Sequence, residues 1–168
     1  MPPPWLKPLE VDRLAGTEAD VDFAIPLAEL SGLRALRDGV AGSASGHVHF
    51  SREQGFATAE ITLRGRVTLE CQRCMSPMEL PLETVARVAL IASEADASRV
   101  PADLEPVLAT GGRISIGELV TEELLLMLPI VPLHAGSSEC APVPAAQARD
   151  SGSETHQPFA RLGELLKR

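Results

Sequence analysis

Apolar and polar side chains alternate through residues 20–27 and again through much of 46–91, and a helical period takes over after residue 115. In 20–27, Val21, Phe23, Ile25 and Leu27 share one face. Pro26 cannot donate to a ladder, which assigns this strand to a sheet edge. Leu30, Leu33 and Leu36 follow at helical spacing, and Gly39 ends a short helix. The clearest alternation is 57–71. Ala57, Ala59, Ile61, Leu63, Val67, Leu69 and Cys71 take one face, and Thr58, Glu60, Thr62, Arg64, Arg66, Thr68 and Glu70 the other. Such a run exceeds ordinary strand length. Gly65 interrupts its apolar face and predicts a bend or bulge. A turn over 51–55 joins it to a preceding strand, 46–50, and a third run, 80–91, places Leu80, Leu82, Ala86, Val88 and Leu90 together.

Short connections between these runs predict antiparallel pairing in a strongly curved meander or small barrel. Residues 93–113, acidic and bearing Gly and Pro, predict a surface loop. Ser115 and Glu118 have the spacing of a capping box, which opens a helix running to residue 128. Val120, Leu124 and Leu128 form its inner stripe, with Glu118, Thr121 and Glu122 outward. The run Leu124-Leu125-Leu126-Met127-Leu128 is apolar all round, which predicts burial on more than one side; Pro129 and Pro132 end the helix. Residues 141–157, rich in Ala, Pro, Ser, Gln and Gly, predict a flexible linker. In 158–168, Phe159, Leu162 and Leu166 form an amphipathic stripe too short to stand alone as a helix in water, so it must dock on this domain or on a partner. The expected architecture is α+β. One globular domain, 1–140, holds a curved antiparallel sheet with a long capped helix packed on it and a small helix nearer the N-terminus; a flexible C-terminal arm follows.

Composition narrows the function. The chain has 168 residues, 45% of them hydrophobic, enough for one core. A net charge of −8, no Tyr, one Trp and four Phe argue against a large basic surface or a base-stacking platform for nucleic acid. Residues 31–75 are the exception, with six arginines against four acids, and mark where an anionic partner is electrostatically plausible. Within this block Arg64 and Arg66 project from one strand face and Arg73 lies just beyond, the makings of a short phosphate-contacting ridge. The N-terminus lacks the pattern of a secretory signal and no apolar run reaches about 18 residues, so the expectation is a cytoplasmic protein without a membrane span.

Three cysteines in a reducing compartment read as thiols or metal ligands rather than disulfides. Cys71-Gln72-Arg73-Cys74 has the spacing that lets two thiolates meet one ion, and His134 and Cys140 supply two further soft ligands after the helix. Together Cys71, Cys74, His134 and Cys140 would make a closed Cys3His zinc site. The alternative is three reduced cysteines packed as small apolar groups. Redox catalysis is disfavoured by the lack of a βαβ pattern or helix N-terminus at the pair. His47 and His49 are a second metal pair by spacing, but without carboxylate or thiol neighbours in sequence they read as solvent-facing, as does the Glu122–Glu123 pair. No hydrolase, phosphate-loop or zinc-protease motif occurs, which points away from an enzyme.

Taken in order, the C-Q-R-C knuckle at 71–74, the capped helix ending in Leu128-Pro129-Ile130-Val131-Pro132-Leu133-His134, Cys140, and Pro158-Phe159-Ala160 before a basic end resemble the YceD family. These are bacterial proteins, with plastid relatives, associated with accumulation of large-subunit ribosomal RNA. Many relatives carry a richer cysteine cluster at the second segment, where this chain has His134 and Cys140. The resemblance implies a non-enzymatic role in synthesis, processing or stability of that RNA and brings no catalytic residues. Partners would be the RNA or its precursor, at Arg64, Arg66 and Arg73, and a ribosomal protein or assembly factor, with the acidic helix side and the stripe of Phe159, Leu162 and Leu166 as contacts. The competing class is a protein-binding adaptor that acts through that stripe and touches no RNA.

Overall fold

The computed structural model describes residues 3–36, 40–136 and 140. Strands β1 (Leu9–Glu10), β2 (Asp20–Pro26), β3 (Ala41–Glu53), β4 (Phe56–Glu70), β5 (Pro77–Ile91), β6 (Glu105–Leu108) and β7 (Arg113–Ile114) alternate with helices α1 (Val11–Gly16), α2 (Ser31–Leu36) and α3 (Ile116–Met127). Five strands form one sheet in the order β2-β3-β4-β5-β6, and β1 pairs with β7 in a small second sheet. β2 lies at the edge, where Pro26 costs no ladder bond. Every neighbouring pair is antiparallel except β5–β6, which is parallel.

The apolar alternation builds the core. Ala57, Ala59, Ile61, Leu63, Val67, Leu69 and Cys71 are all buried, and register places Leu90, Val88, Ala86, Leu82 and Leu80 of β5 on the same face. Leu119, Val120 and Leu124 of α3, and Leu128 just after it, join these residues in a single cluster, so the helix covers the apolar side of the sheet. Each such leucine contributes about 1.5–3 kcal/mol by leaving water. The capping box forms: Glu118 N–H donates to Ser115 Oγ at 3.1 Å and Ser115 N–H donates to Glu118 Oε2 at 2.7 Å.

Several expectations are corrected. The sheet is open, not a barrel, because β6 ends it in parallel beside β5. The expected loop 93–113 contains β6 and β7; four-residue and two-residue strands are too short to leave a periodic signal. β3 begins at Ala41 rather than 46, and the turn expected over 51–55 shrinks to Gln54 and Gly55. Both have positive φ (50° and 89°), the requirement of a tight two-residue hairpin. Gly65 marks no bulge, since β3–β4 and β4–β5 register runs through it unbroken. What the position needs is the missing side chain: a Cβ there would lie 2.2 Å from the Ser43 carbonyl oxygen. Thr58, on the polar face, is nevertheless buried, opposite buried Ala89. The all-round apolar end of α3 is buried on one side only, leaving Leu126 66% exposed. Glu123, expected in solvent, is buried.

His47 and His49 face solvent as expected, but they do not lack carboxylate neighbours. β2–β3 register sets Asp20 opposite His49 and Asp22 opposite His47, supplying the carboxylates that the local sequence lacks. His49 Nδ1 lies 2.8 Å from Asp20 Oδ1, and His47 lies 3.1 Å from Asp22 Oδ1 through Nδ1 and 3.0 Å from Asp20 Oδ1 through Nε2. The hydrogen bond to Asp22, aided by Asp20, raises His47 above its ordinary 6.5 against the opposing pull of burial. The bond to His49 leads in holding Asp20 below 3.8.

Two outcomes are expected. Gly65→Ala lowers the urea midpoint, corresponding to about 1–3 kcal/mol of overpacking strain. The His47 clasp stabilises the β2 edge fully below 6.5 and fades as pH rises through the elevated histidine value, while Asp20's share is lost as pH falls through a value below 3.8. The melting temperature of the native chain should therefore exceed that of His47→Gln by more at about pH 5.5 than at about pH 8.5.

Candidate metal centre

Six residues, 71–76, connect the paired ends of β4 and β5, and the C-x2-C knuckle is the tip of this long hairpin. Two backbone bonds shape it: Met75 N–H donates to Cys71 C=O at 2.8 Å, and Cys71 N–H donates to Ser76 C=O at 3.0 Å. Met75 sits in the left-handed region at φ 57°, which lets the chain reverse after Cys74. The second half arrives from α3. Leu128 turns extended, Pro129 and Pro132 prevent further helix, and the chain returns to the hairpin tip, where Gln72 N–H donates to Pro132 C=O at 2.9 Å. That bond docks the post-helix segment on the knuckle and places His134 beside it.

The four sequence-predicted ligands meet here. Ligand atoms of Cys71, Cys74, His134 and Cys140 all lie within 4.8 Å of one another, and this is the one such cluster of His, Cys, Asp or Glu among the described residues. Cys71 and Cys140 sulfurs are 3.8 Å apart, and His134 Nδ1 is 3.5 Å from the sulfurs of both Cys74 and Cys140. A tetrahedral ion with metal–sulfur bonds of about 2.3 Å and metal–nitrogen bonds of about 2.0–2.1 Å requires edges of about 3.8 Å and 3.6 Å. The donor set therefore fits a single dication closed by four protein ligands. The alternative of cysteines as apolar filler suits only Cys71, which is buried; Cys74 and Cys140 are half-buried and face the imidazole.

Electrostatics point the same way. Burial pushes the Cys71 thiol up, but hydrogen bonds from the backbone of His134, Arg73 and Cys74 outweigh it and hold the thiol at about 5. Cys74 is likewise lowered, burial being overcome by the Ser76 backbone and hydroxyl. His134 is raised, chiefly by its hydrogen bond to Cys71. Burial, and then the neighbouring Cys71 and Cys74, raise Cys140. Two thiolate-like sulfurs thus face two groups that keep protons, an arrangement that a dication would replace by expelling them.

Arg64 and Arg66 project from the solvent face of β4, each paired with an acid of β5: Arg64 Nε to Glu83 at 3.3 Å and Arg66 Nη1 to Glu79 at 3.3 Å. Arg73 is exposed on the knuckle, its Nη1 3.8 Å from Cys140 Sγ. Phe159, Leu162 and Leu166, and the proposed linker 141–157, lie outside the described residues. Among the described residues, no helix is long and apolar enough to cross a membrane. Sequence reading missed Glu123 as more than a surface acid, although its place four residues after buried Leu119 was a signal that it lies beside the apolar stripe. It also missed the His47–His49 carboxylate partners, which only strand pairing supplies.

An open α+β sheet with a Cys3His cluster where its hairpin tip meets the segment after a capped helix defines the class. A family model described as large ribosomal RNA subunit accumulation protein YceD matches residues 59–166, a span from inside β4 through both ligand segments. A Haemophilus influenzae protein of the same description is 33% identical over 119 residues, covering 64% of this chain and 67% of that protein. No solved structure matches the chain significantly. The chain belongs to the YceD family.

The centre yields a direct expectation. Titrated with cobalt(II), the reduced protein takes up one ion per chain with thiolate charge-transfer and tetrahedral ligand-field absorption, and His134→Ala or Cys140→Ser weakens uptake. Because Cys140 and His134 hold protons more tightly than usual, uptake at neutral pH releases protons, and affinity falls as pH drops toward the Cys71 value of about 5. Calorimetry in buffers of different ionisation enthalpy reads both.

Proposed function

We propose that this protein is a non-enzymatic factor for the accumulation of large-subunit ribosomal RNA, acting in the cytoplasm. Cys71, Cys74, His134 and Cys140 would hold a zinc ion that would keep the hairpin tip rigid as part of the RNA contact. The observation that carries this reading is the family match, whose description names that RNA and whose span includes both ligand segments. The geometry supplies a means. Cys71, Cys74, His134 and Cys140 would hold the ion with no open coordination position, so its contribution is structural rather than catalytic. Arg73 on the knuckle, with Arg64 and Arg66 along the outer face of β4, offers three guanidinium groups to phosphate. The acids facing Arg64 and Arg66 do not forbid this, because exposed pairs are worth only about 0–1 kcal/mol and a phosphate can take the carboxylate's place.

The competing reading is a protein adaptor without RNA contact, favoured by the net charge of −8 and by those same cross-strand acids. Binding of the native protein to precursor large-subunit RNA separates the two. Arg64→Glu/Arg66→Glu/Arg73→Glu is expected to abolish measurable binding at moderate salt. The neutral triple Gln variant should reduce the log-affinity against log-salt slope by about 2, the value for three lost phosphate contacts on a single strand. An unchanged slope and affinity would remove the arginine ridge, and an absence of large-subunit reads after crosslinking in cells would favour the adaptor.

A further inference from the structure

We propose that the cleft between α3 and the edge strand β6 is a docking site for a lysine- or arginine-bearing segment of a partner protein, with the Glu123 carboxylate as the buried anion that receives its cation. The cleft encloses about 390 Å³ and is walled by Glu105 and Leu108 from β6 and by Glu122, Glu123 and Leu126 from α3, with Glu118 beside them. Glu123 is only 6% exposed and among the described residues no hydrogen bond or ion pair reaches its carboxylate, whose oxygens are not wholly shut from solvent and so stay open to a ligand in the cleft that Glu123 lines. An ionised carboxylate held mostly out of water without a partner is unfavourable, and a cation brought into the cleft relieves this as a proton would. Among the described residues no Lys, Arg or His lines the cleft, so the complement has to be brought in. Burial, then Glu105 and Glu122, raise the carboxyl's proton affinity, in keeping with an anion short of a counter-charge.

The chemistry of the walls selects the occupant. The carboxylates do not converge within 4.8 Å as metal ligands would, the Cys3His centre being the one cluster among the described residues that does so. A bare metal ion is thereby disfavoured. Leu108 and Leu126 are 44% and 66% exposed beside the acids, so the complementary ligand pairs a cation with an apolar neighbour. β6 ends the sheet with no further strand beside it among the described residues, which gives an extended segment an edge to follow. Glu118 is already held by its cap with Ser115, which leaves Glu105, Glu122 and Glu123 to define the charge pattern. None of this depends on the metal centre or on the RNA reading.

The test uses the full chain and a fluorescein-labelled Gly-Leu-Arg-Leu-Arg-Leu-Gly peptide, with citrulline in place of arginine as the neutral control, read by fluorescence anisotropy. Glu123→Gln should weaken binding about tenfold or more, the scale of a lost charged hydrogen bond, while raising the melting temperature because an unpaired buried charge is gone. Leu126→Ser, at an exposed position, should weaken binding without unfolding the chain. Glu94→Gln, in the 94–99 turn and outside the cleft, should leave affinity unchanged. Equal losses for Glu94→Gln and Glu123→Gln, or equal binding of the citrulline peptide, would reduce the effect to net charge or greasiness and overturn the proposal. Tighter peptide binding by Arg161→Glu/Lys167→Glu/Arg168→Glu would assign the cleft to the chain's own C-terminal residues and overturn the partner assignment.

Discussion

The register of the β3–β4–β5 ladder is the constraint on which the other features rest. Because side chains alternate with period two, a slip of one residue in β4 would carry Ile61, Leu63, Val67 and Leu69 into water and bring Arg64 and Arg66 against α3. It would also move Cys71 off the hairpin tip and away from Pro132. The apolar face specifies the register strongly, since six inward positions of β4 are buried and the matching β5 positions lie beside them. The close backbone approach at Gly65 adds a steric lock, because the next residue in either direction carries an arginine side chain that the site cannot admit. The same ladder fixes the outer face, where Arg64 meets Glu83 and Arg66 meets Glu79, so core and surface follow from one pairing.

The metal centre depends on that ladder and closes the fold at its far end. Its first two candidate ligands are local, three residues apart on a turn shaped by Met75 and Ser76. The other two come from a segment whose position is fixed by where α3 stops. The prolines after Leu128 and the Gln72–Pro132 backbone bond convert the end of a helix into a return path to the knuckle. A bound ion would join a strand hairpin to a helix terminus across 60 residues of sequence, the separation of Cys74 and His134. A cross-link over so long a loop constrains the unfolded chain strongly, in line with a structural rather than a catalytic part.

Charge is divided by surface rather than spread evenly. The outer face of the sheet is a ladder of opposed pairs with an exposed arginine at its knuckle end, whereas the α3–β6 cleft gathers carboxylates with no cation. Under the proposed function, holding these surfaces apart would let the first meet phosphate locally and the second meet cationic protein without drawing RNA into it.

Much of the fold was legible locally. Strand alternation in 57–71, the edge placement marked by Pro26, the Ser115–Glu118 cap and the C-x2-C knuckle each depend on residues a few positions apart, and all four are found as read. The sequence also named the four residues of the Cys3His cluster by chemistry, because thiols and imidazoles in two clusters are a short list. What it could not hold were relations between distant segments. The parallel β6, the aspartates facing His47 and His49, and the burial of Glu123 beside β6 were all decided by packing. Hydrophobic period and hydrogen-bonding propensity act over one or two turns, but strand partners and buried charges are set by long-range contacts whose free energy exists only once the chain is assembled.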